Sequence, residues 1–246
     1  MSDIEVIEPD WPVPSRVHAA FTLRLGGVSV APFASLNVGA QVGDAALAVA
    51  ENRLRVRQRL RLPVEPTWLQ QIHGTAVANL DADDAAHGAA DAAITRRTDR
   101  VCVIQVADCV PVLFAARDGS AVAAAHAGWR GLAGGVLEST VASLGAEARE
   151  LCAWLGPGIG PRHFEVGDEV RAAFLAGDPA AEEDFQANER GRWQCDLSAL
   201  ARRRLSRLGV REISGGVHCT YAESERFFSY RRDGQCGRMA ALVWLD

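Results

Sequence analysis

VCVIQVADCVPVLFAARDGSAVAAAHAGWRG, residues 101–131, is the stretch that predicts how this chain folds. Residues 101–106, 110–116 and 121–125 form three short apolar runs, which are typical of strands buried on both faces. Asp118-Gly119 lies between the second and third runs, and Asp-Gly in that setting is a strong signal for a two-residue hairpin turn. The sequence therefore predicts three strands, of which the last two pair as an antiparallel hairpin.

The predicted hairpin brings two metal-binding side chains together. If the Asp-Gly pair occupies the centre of the turn, Cys109 lies opposite Gly128 in the pairing. His126 then lies two residues before Gly128 and on the same face. Diagonal cross-strand neighbours are about 7–8 Å apart at the backbone, which is close enough for both side chains to reach one metal ion. We therefore expect Cys109 and His126 to converge.

A third candidate ligand is His73, in the segment Gln71-Ile72-His73-Gly74. Two imidazoles and one thiolate would leave the fourth position of a tetrahedral zinc ion open, as in catalytic zinc sites. No spacing argument brings His73 to the other two residues. Other interpretations stay open, because a histidine beside glycine is commonly a turn residue and a cysteine after an apolar strand is commonly a core residue.

Five further polar side chains are candidates for a functional site. Asp108 could act as a general acid or base, could orient one of the imidazoles, or could cap a turn. Arg24, Arg130 and Arg231 are candidates for anion binding, because a guanidinium holds phosphate or carboxylate in a fixed geometry. Asn37, in a loop rich in glycine and proline, could bind a ligand or form an Asx turn.

Hydrophobic periodicity predicts the other elements. A helix is expected at residues 44–61, with Asp44 as its N-cap. Leu47, Ala50 and Leu54 recur at helical spacing and are expected on its buried side. Further strands are predicted at residues 17–25, 67–72, 152–155, 210–217 and 239–245, and further helices after Gly131, at residues 168–175 and after Asp196. This irregular alternation favours an α/β (α+β) fold, a layered sandwich with a mixed β-sheet.

Length and composition indicate a single domain covering residues 1–246. The 246 residues are 48% hydrophobic, which allows a sizeable core, and no stretch has the composition of a linker. The net charge of −5 disfavours a general role in nucleic-acid binding. The six cysteines form no CxxC pair, which is typical of reduced thiols, and neither a signal peptide nor a membrane span is recognisable. We therefore expect a cytoplasmic protein without nucleic-acid or membrane partners.

Eight segments, in chain order, carry a resemblance to a known family. They are RLGGVS (24–29), SLNVG (35–39), QVGD (41–44), QIHG (71–74), ADCVPV (107–112), HAGWRG (126–131), GIGP (158–161) and FFSYRRDG (227–234). With these motifs the chain resembles the bacterial YfiH/YlmD family, also labelled polyphenol oxidase, laccase-domain protein or peptidoglycan editing factor. That family is related to a human laccase-domain-containing purine metabolic enzyme.

The resemblance implies an α/β sandwich that binds zinc and acts on purine nucleosides. The implied reactions are phosphorolysis of adenosine, inosine, guanosine or methylthioadenosine, and hydrolytic deamination of adenosine. The partners would be a nucleoside and phosphate, and a homo-oligomer is allowed. The expected metal ligands are His73, Cys109 and His126; the expected catalytic residues are Asp108, Cys109 and Arg130; and the residues expected to bind substrate or phosphate are Arg24, Asn37, Gln71 and Arg231.

Two other functions are weighed against this one. A copper-dependent polyphenol oxidoreductase could use the same thiol and imidazoles. However, six histidines are too few for the further copper cluster of a laccase, and neither Met1 nor Met239 lies near a ligand motif. A hydrolase that edits peptidoglycan precursors could use Cys109 as a nucleophile beside a histidine. A second histidine favours metal ligation of the thiolate, and a structural zinc would be expected to have four protein ligands.

Overall fold

The computed structural model describes residues 4–82 and 88–246. Over these ranges the strands, β1 to β14 in chain order, are Val6–Ile7, Val17–Thr22, Thr67–Trp68, Val77–Asn79, Ala92–Thr95, Val101–Val106, Val110–Ala116, Val122–Ala127, Leu151–Leu155, Glu165–Val166, Phe185–Ala187, Trp193–Cys195, Glu212–Gly215 and Met239–Leu245. The α-helices, α1 to α6, are Ala46–Leu60, Trp129–Gly134, Val136–Leu144, Asp168–Leu175, Leu197–Leu208 and Tyr230–Asp233.

Two large mixed sheets form the framework. The first has the strand order β1-β2-β14-β6-β3, in which every pair is antiparallel except β3 with β6. The second has the order β13-β9-β7-β8-β5-β4, antiparallel in its centre and parallel at β13 with β9 and at β4 with β5. A smaller antiparallel sheet has the order β10-β12-β11. The predicted α/β sandwich with mixed sheets is confirmed.

The central strands are buried on both faces, which explains their unbroken apolar sequences. In β7, Leu113 packs in the core between the two large sheets, whereas Phe114 belongs to the core beneath α3 and α5. Neighbouring strand residues point to opposite faces, so both faces of β7 must be apolar. On the outer face of the first sheet, Val56 of α1 packs with Val103 and Leu242. The layers are therefore helix, sheet, sheet and helix.

The helix predicted at residues 44–61 forms as α1, but its predicted cap is wrong. Ala45 occupies the N-cap position and makes no side-chain capping bond. The carboxylate of Asp44 instead accepts hydrogen bonds from Ser29 Oγ at 2.6 Å and Asn37 Nδ2 at 2.9 Å. Asp44 therefore joins the end of the long loop between β2 and α1 to the middle of the same loop.

The predicted buried face of α1 is also wrong. Leu47 is 86% exposed and Leu54 is 45% exposed, and Ala50 is exposed with them. The buried residues of the helix are Val49, Asn52 and Val56. The Asn52 amide is buried because it hydrogen-bonds the loop at residues 28–37 through both its oxygen and its nitrogen. A polar residue thus lies at the centre of the buried face, which the apolar periodicity does not reveal.

Most other predicted elements form, with differences at their ends. The predicted bounds of β6, β7, β14 and α4 are confirmed, whereas β2, β3 and β13 are shorter than predicted. The helical segment predicted after Gly131 begins earlier, at Trp129, and Gly135 divides it into α2 and α3. The φ of Gly135 is +101°, a conformation that breaks a helix and that glycine adopts without strain. Within the described ranges, the helices are all too short or too polar to cross a lipid bilayer.

Candidate metal centre

The β7–β8 hairpin has the register that the Asp-Gly turn predicts. Pro111 pairs with His126 across the hairpin, so Cys109, two residues before Pro111, lies opposite Gly128. Asp108 has a φ of +88°, and this left-handed residue turns the chain between β6 and β7. The Cys109 thiol therefore lies at the start of β7, beside the His126 imidazole, which is buried.

His73 reaches the hairpin because the loop after β3 is bonded to the end of β6. The side-chain amide of Gln71 donates to the Gln105 carbonyl oxygen at 2.9 Å and accepts from the Gln105 backbone N–H at 2.8 Å. These bonds extend the parallel pairing of β3 with β6 beyond Trp68. His73 follows with a φ of +61°, a conformation uncommon outside glycine. The structure thereby supplies the third residue that sequence spacing could not place.

Donor atoms of His73, Cys109 and His126 all lie within 4.8 Å of one another. The distance from Cys109 Sγ to His73 Nε2 is 3.8 Å, and the two imidazole centroids are 4.7 Å apart. Two imidazoles and a thiolate fit a tetrahedral metal such as zinc, with the fourth position left for a reactant. These three residues are the one group of at least three such donors within this spacing across residues 4–82 and 88–246.

Two glycines of the HAGWRG motif leave space around these ligands. A Cβ atom on Gly128 would lie 2.8 Å from His73 Cδ2 and 2.9 Å from Cys109 Sγ, which is too close for packed atoms. A Cβ atom on Gly131 would lie 2.8 Å from the Gly74 carbonyl oxygen. Because the φ of Gly128 is −70°, its requirement is for space and not for an unusual backbone. Glycine at both positions therefore lets the HAGWRG segment pack directly against His73 and Cys109.

The surroundings of the Cys109 thiol and the His126 imidazole favour the charged form of both side chains in the protein without metal. Burial alone would raise the pKa of Cys109, but the charge and hydrogen bonds of His126 and His73 outweigh it and lower this pKa to about 6. Burial alone would lower the pKa of His126, but the Cys109 thiolate and then Asp91 outweigh it and raise this pKa to about 9. At neutral pH the cysteine is therefore already a thiolate, the form that binds metals.

We expect iodoacetamide to alkylate Cys109 ahead of the buried cysteines in metal-free protein. The rate should be half-maximal near pH 6, level off above about pH 7 and fall about tenfold per pH unit well below pH 6, because only the thiolate reacts. Burial raises the pKa of Cys102 and Cys195, so those thiols should react slowly. Peptide mass spectrometry measures the sites and rates. Stoichiometric zinc should protect Cys109, and a zinc-independent rate would argue against ligation.

The candidate metal centre opens into a cavity of about 740 Å³, a size typical of small-molecule sites. Four arginine–aromatic pairs line it, each with a guanidinium over a ring: Arg53 on Trp68, Arg130 on Trp129, Arg231 on Phe164 and Arg238 on Tyr230. Among the described lining residues, Asp108 is the only carboxylate. The cavity wall therefore combines aromatic side chains with positive charge, a combination that suits a planar ligand and an anion.

The carboxylate of Asp108 holds the segment that carries two of these side chains. It accepts a hydrogen bond from Thr220 Oγ1 at 2.6 Å and another from the backbone N–H of Arg231 at 2.7 Å. These bonds fix the start of α6, and with it the positions of Tyr230 and Arg231 on the cavity wall. Asp108 lies at the cavity beside the thiol, and its described bonds do not orient an imidazole.

Three other sequence candidates have their polar atoms engaged within the protein. Arg24 donates to main-chain carbonyls of neighbouring loops, and the Asn37 amide bonds to main-chain groups and to Asp44. Neither of them lines the cavity. Gln71 does line it, but both ends of its amide bond to Gln105. Of the seven proposed catalytic and substrate-binding residues, the structure places Gln71, Asp108, Cys109, Arg130 and Arg231 at the cavity.

Asp91 is the residue of this site that the sequence interpretation missed. Its side chain is fully buried, and Oδ1 lies 2.8 Å from Nδ1 of His126. Asp91, and not Asp108, is thus the carboxylate that orients an imidazole of the site. The sequence held one signal for it, since Asp91 directly precedes the apolar strand β5. A carboxylate buried at such a position requires hydrogen-bond partners, and this could have marked it as part of a site.

The fold and the site define a layered α/β protein with a candidate three-ligand metal centre at the wall of a cavity. The family model for multi-copper polyphenol oxidoreductase laccase matches residues 18–246. The chain therefore belongs to that family, as the resemblance to YfiH predicts.

Relatives and solved structures agree over nearly the whole chain. A protein of Pseudomonas aeruginosa named purine nucleoside phosphorylase is 52% identical over 242 residues, 98% of each chain. The protein named purine nucleoside phosphorylase YfiH of Escherichia coli is 49% identical, over 98% of this chain and 99% of its own length. A crystal structure of a Neisseria meningitidis protein described as a DUF152 family member superposes with a TM-score of 0.94 at 47% identity, over 98% and 99% of the two chains.

Proposed function

We propose that this chain is a zinc-dependent purine nucleoside phosphorylase that also deaminates adenosine. The observation that carries the proposal is the convergence of His73, Cys109 and His126 at a cavity that offers both aromatic surface and positive charge. Relatives at 52% and 49% identity bear the name purine nucleoside phosphorylase. The proposed substrates are adenosine, inosine, guanosine and methylthioadenosine, with phosphate as the second reactant.

Phosphorolysis exchanges one bond at C1′ of the ribose for another. A phosphate oxygen bonds to C1′ while the bond from C1′ to purine N9 breaks and its electron pair stays on the base. A proton then neutralises the base, and the products are the purine and ribose 1-phosphate. Zinc held by His73, Cys109 and His126 would supply Lewis acidity. The remaining tasks of the protein are to hold phosphate, to stack the base and to transfer the proton.

Arg130 is the proposed phosphate-binding residue. Its side chain is exposed at the cavity, and its guanidinium carbon lies 4.4 Å from the centre of the Trp129 ring. Within the described part of the chain no hydrogen bond or ion pair engages this guanidinium, so its charge is free for an anion. Arg231, by contrast, already donates to the Glu165 carbonyl oxygen at 3.0 Å.

Asp108 is the proposed proton-transfer group. Its position beside Cys109 is fixed by two hydrogen bonds, one to each carboxylate oxygen, and each oxygen keeps a further lone pair. In phosphorolysis it would transfer a proton to the leaving purine. In deamination, where water attacks C6 of adenosine and ammonia leaves, it would move the protons between them.

The function is tested with protein whose metal content has been measured. Zinc-loaded protein is incubated with adenosine, with and without phosphate, and the products are separated. We expect adenine and ribose 1-phosphate only with phosphate, and inosine in both samples. Zinc-loaded protein that forms neither adenine nor inosine would contradict the proposal.

We expect Arg130→Met to raise the KM for phosphate by about tenfold or more. A charge-assisted hydrogen bond contributes about 1.5–3 kcal/mol, and the substitution removes it while keeping much of the apolar stem. Initial rates at varied phosphate measure the effect. Arg162→Met, at an exposed arginine outside the cavity lining, is the matched control. Equal phosphate KM values for the two variants would exclude Arg130 as the phosphate ligand.

A copper-dependent polyphenol oxidoreductase is the second candidate. Two imidazoles and a thiolate also suit copper, and the matching family model carries that name. In this case copper-loaded protein should oxidise phenols and consume dioxygen. Phosphorolysis by zinc-loaded protein, without phenol oxidation by copper-loaded protein, would leave the first proposal standing alone.

A further inference from the structure

We infer that Asp91 is the positioning residue of the candidate metal centre and that its one carboxylate holds both imidazoles in place. Asp91 lies directly before β5, and its side chain is 0% exposed. A carboxylate buried to this degree is costly unless hydrogen-bond donors surround it. The inference rests on the proposed metal site and not on the identity of the substrate.

Three consecutive backbone N–H groups converge on the Asp91 carboxylate. Oδ2 accepts from Ile72 at 3.1 Å and from Gly74 at 2.7 Å, and Oδ1 accepts from His73 at 2.9 Å. Successive N–H groups that surround an anion form a concave site known as a nest. This nest contains the left-handed residue His73, so the carboxylate stabilises the very conformation that directs the His73 ring to the thiol.

The same carboxylate orients the second imidazole. Oδ1 of Asp91 lies 2.8 Å from His126 Nδ1, which leaves Nε2 as the ring nitrogen for the metal. The main chain adds a further link, because the His126 N–H donates to the Asp91 carbonyl oxygen at 2.7 Å. Carboxylates that accept from a ligating histidine fix its tautomer and ring orientation. Asp91 therefore connects two ligands that lie 53 positions apart in the sequence (73 and 126).

The pattern of donors requires a carboxylate and not an amide. Oδ1 faces His126 Nδ1 and the His73 N–H, and Oδ2 faces the N–H groups of Ile72 and Gly74. In Asp91→Asn, an NH₂ group in the Oδ2 position would oppose two N–H groups and displace the loop. An NH₂ group in the Oδ1 position would oppose the His73 N–H and favour the His126 tautomer protonated on Nε2, so the nitrogen that should bind the metal would carry a proton. Either orientation disturbs one imidazole.

The test compares Asp91→Asn with Asp81→Asn in the full-length protein. Asp81 is a matched control, since its carboxylate accepts from Thr95 Oγ1 at 2.7 Å and from the Arg96 N–H at 3.0 Å near the other end of β5. Zinc affinity is measured by competition with a chromophoric chelator, and cobalt(II) absorption reports the ligand geometry. We expect Asp91→Asn to weaken zinc binding by about 10- to 100-fold and to alter the cobalt spectrum. Asp81→Asn should bind both metals as the wild type does.

The outcomes separate this inference from the proposed function. Wild-type zinc affinity and an unchanged cobalt spectrum in Asp91→Asn would overturn the role of Asp91, and a wild-type protein that binds no zinc would overturn the site itself. Lack of phosphorolysis by zinc-loaded wild type would contradict only the function. Should Asp91→Asn fail to fold, ¹⁵N NMR of zinc-loaded wild type decides. We expect a slowly exchanging proton on His126 Nδ1, and a proton on Nε2 instead would overturn the inference.

Discussion

Cys109→Ala is expected to lower kcat/KM for nucleoside phosphorolysis by at least about 1000-fold, which corresponds to roughly 4 kcal/mol of transition-state stabilisation. The thiolate is the only anionic member of the three candidate ligands, and its pKa of about 6 keeps it charged at neutral pH. Its removal would leave two imidazoles, of which His126 would lose the thiolate and keep Asp91 as a charged neighbour. Steady-state kinetics and the zinc content per chain measure the two consequences.

Cys219→Ala is the matched control for this substitution. Cys219 is half-buried like Cys109, but it is not one of the three converging residues, and its sulfur accepts from the Gly160 N–H. We expect this variant to keep both zinc and activity. Chelation of the wild-type protein should reproduce the loss seen in Cys109→Ala, and added zinc should restore activity to the wild type alone. A fully active, zinc-containing Cys109→Ala protein would contradict ligation by this thiol.

The part of the site built by local pairing could be predicted from the sequence. An Asp-Gly turn between two apolar runs fixes the hairpin register, and the register in turn brings Cys109 beside His126. Buried helix residues after Gly131 follow the same kind of local rule, since Leu132, Val136 and Leu137 are all fully buried. In both places the periodicity of one short segment determines the outcome.

The rest depends on contacts between distant segments that leave little trace in the sequence. His73 arrives through the bonds of Gln71 to Gln105. Asp91, just before β5, joins two ligand segments from a position that lies between them in sequence. The wrong face of α1 has the same cause, because Asn52 is buried by a loop that precedes the helix. Buried polar residues that hydrogen-bond to distant segments interrupt the apolar pattern on which the predictions rely.

Gly128→Ala is expected to weaken zinc binding by about 100-fold while the protein stays folded. A Cβ atom at this position would lie within 2.9 Å of both a His73 ring carbon and the Cys109 sulfur. Both ligands must therefore move to make room for it, and they would then be displaced from the positions in which they bind the metal. Overpacking costs up to about 3 kcal/mol, and about 1.4 kcal/mol corresponds to each tenfold loss of affinity. The backbone itself tolerates alanine, since φ and ψ of −70° and 159° are ordinary extended values. Chelator competition measures the affinity.

A second glycine substitution separates this local effect from a general one. In Gly177→Ala the new Cβ would lie 4.0 Å from the Phe174 carbonyl oxygen, an ordinary van der Waals contact, and Gly177 lies outside the cavity lining. Zinc affinity and phosphorolysis should match the wild type in this variant. In Gly128→Ala the thermal melting of the metal-free protein should stay close to that of the control, whereas the stabilisation produced by zinc should shrink, because ligand-induced stabilisation follows affinity. An undiminished zinc-induced shift in Gly128→Ala would mean that the metal does not bind between His73 and Cys109.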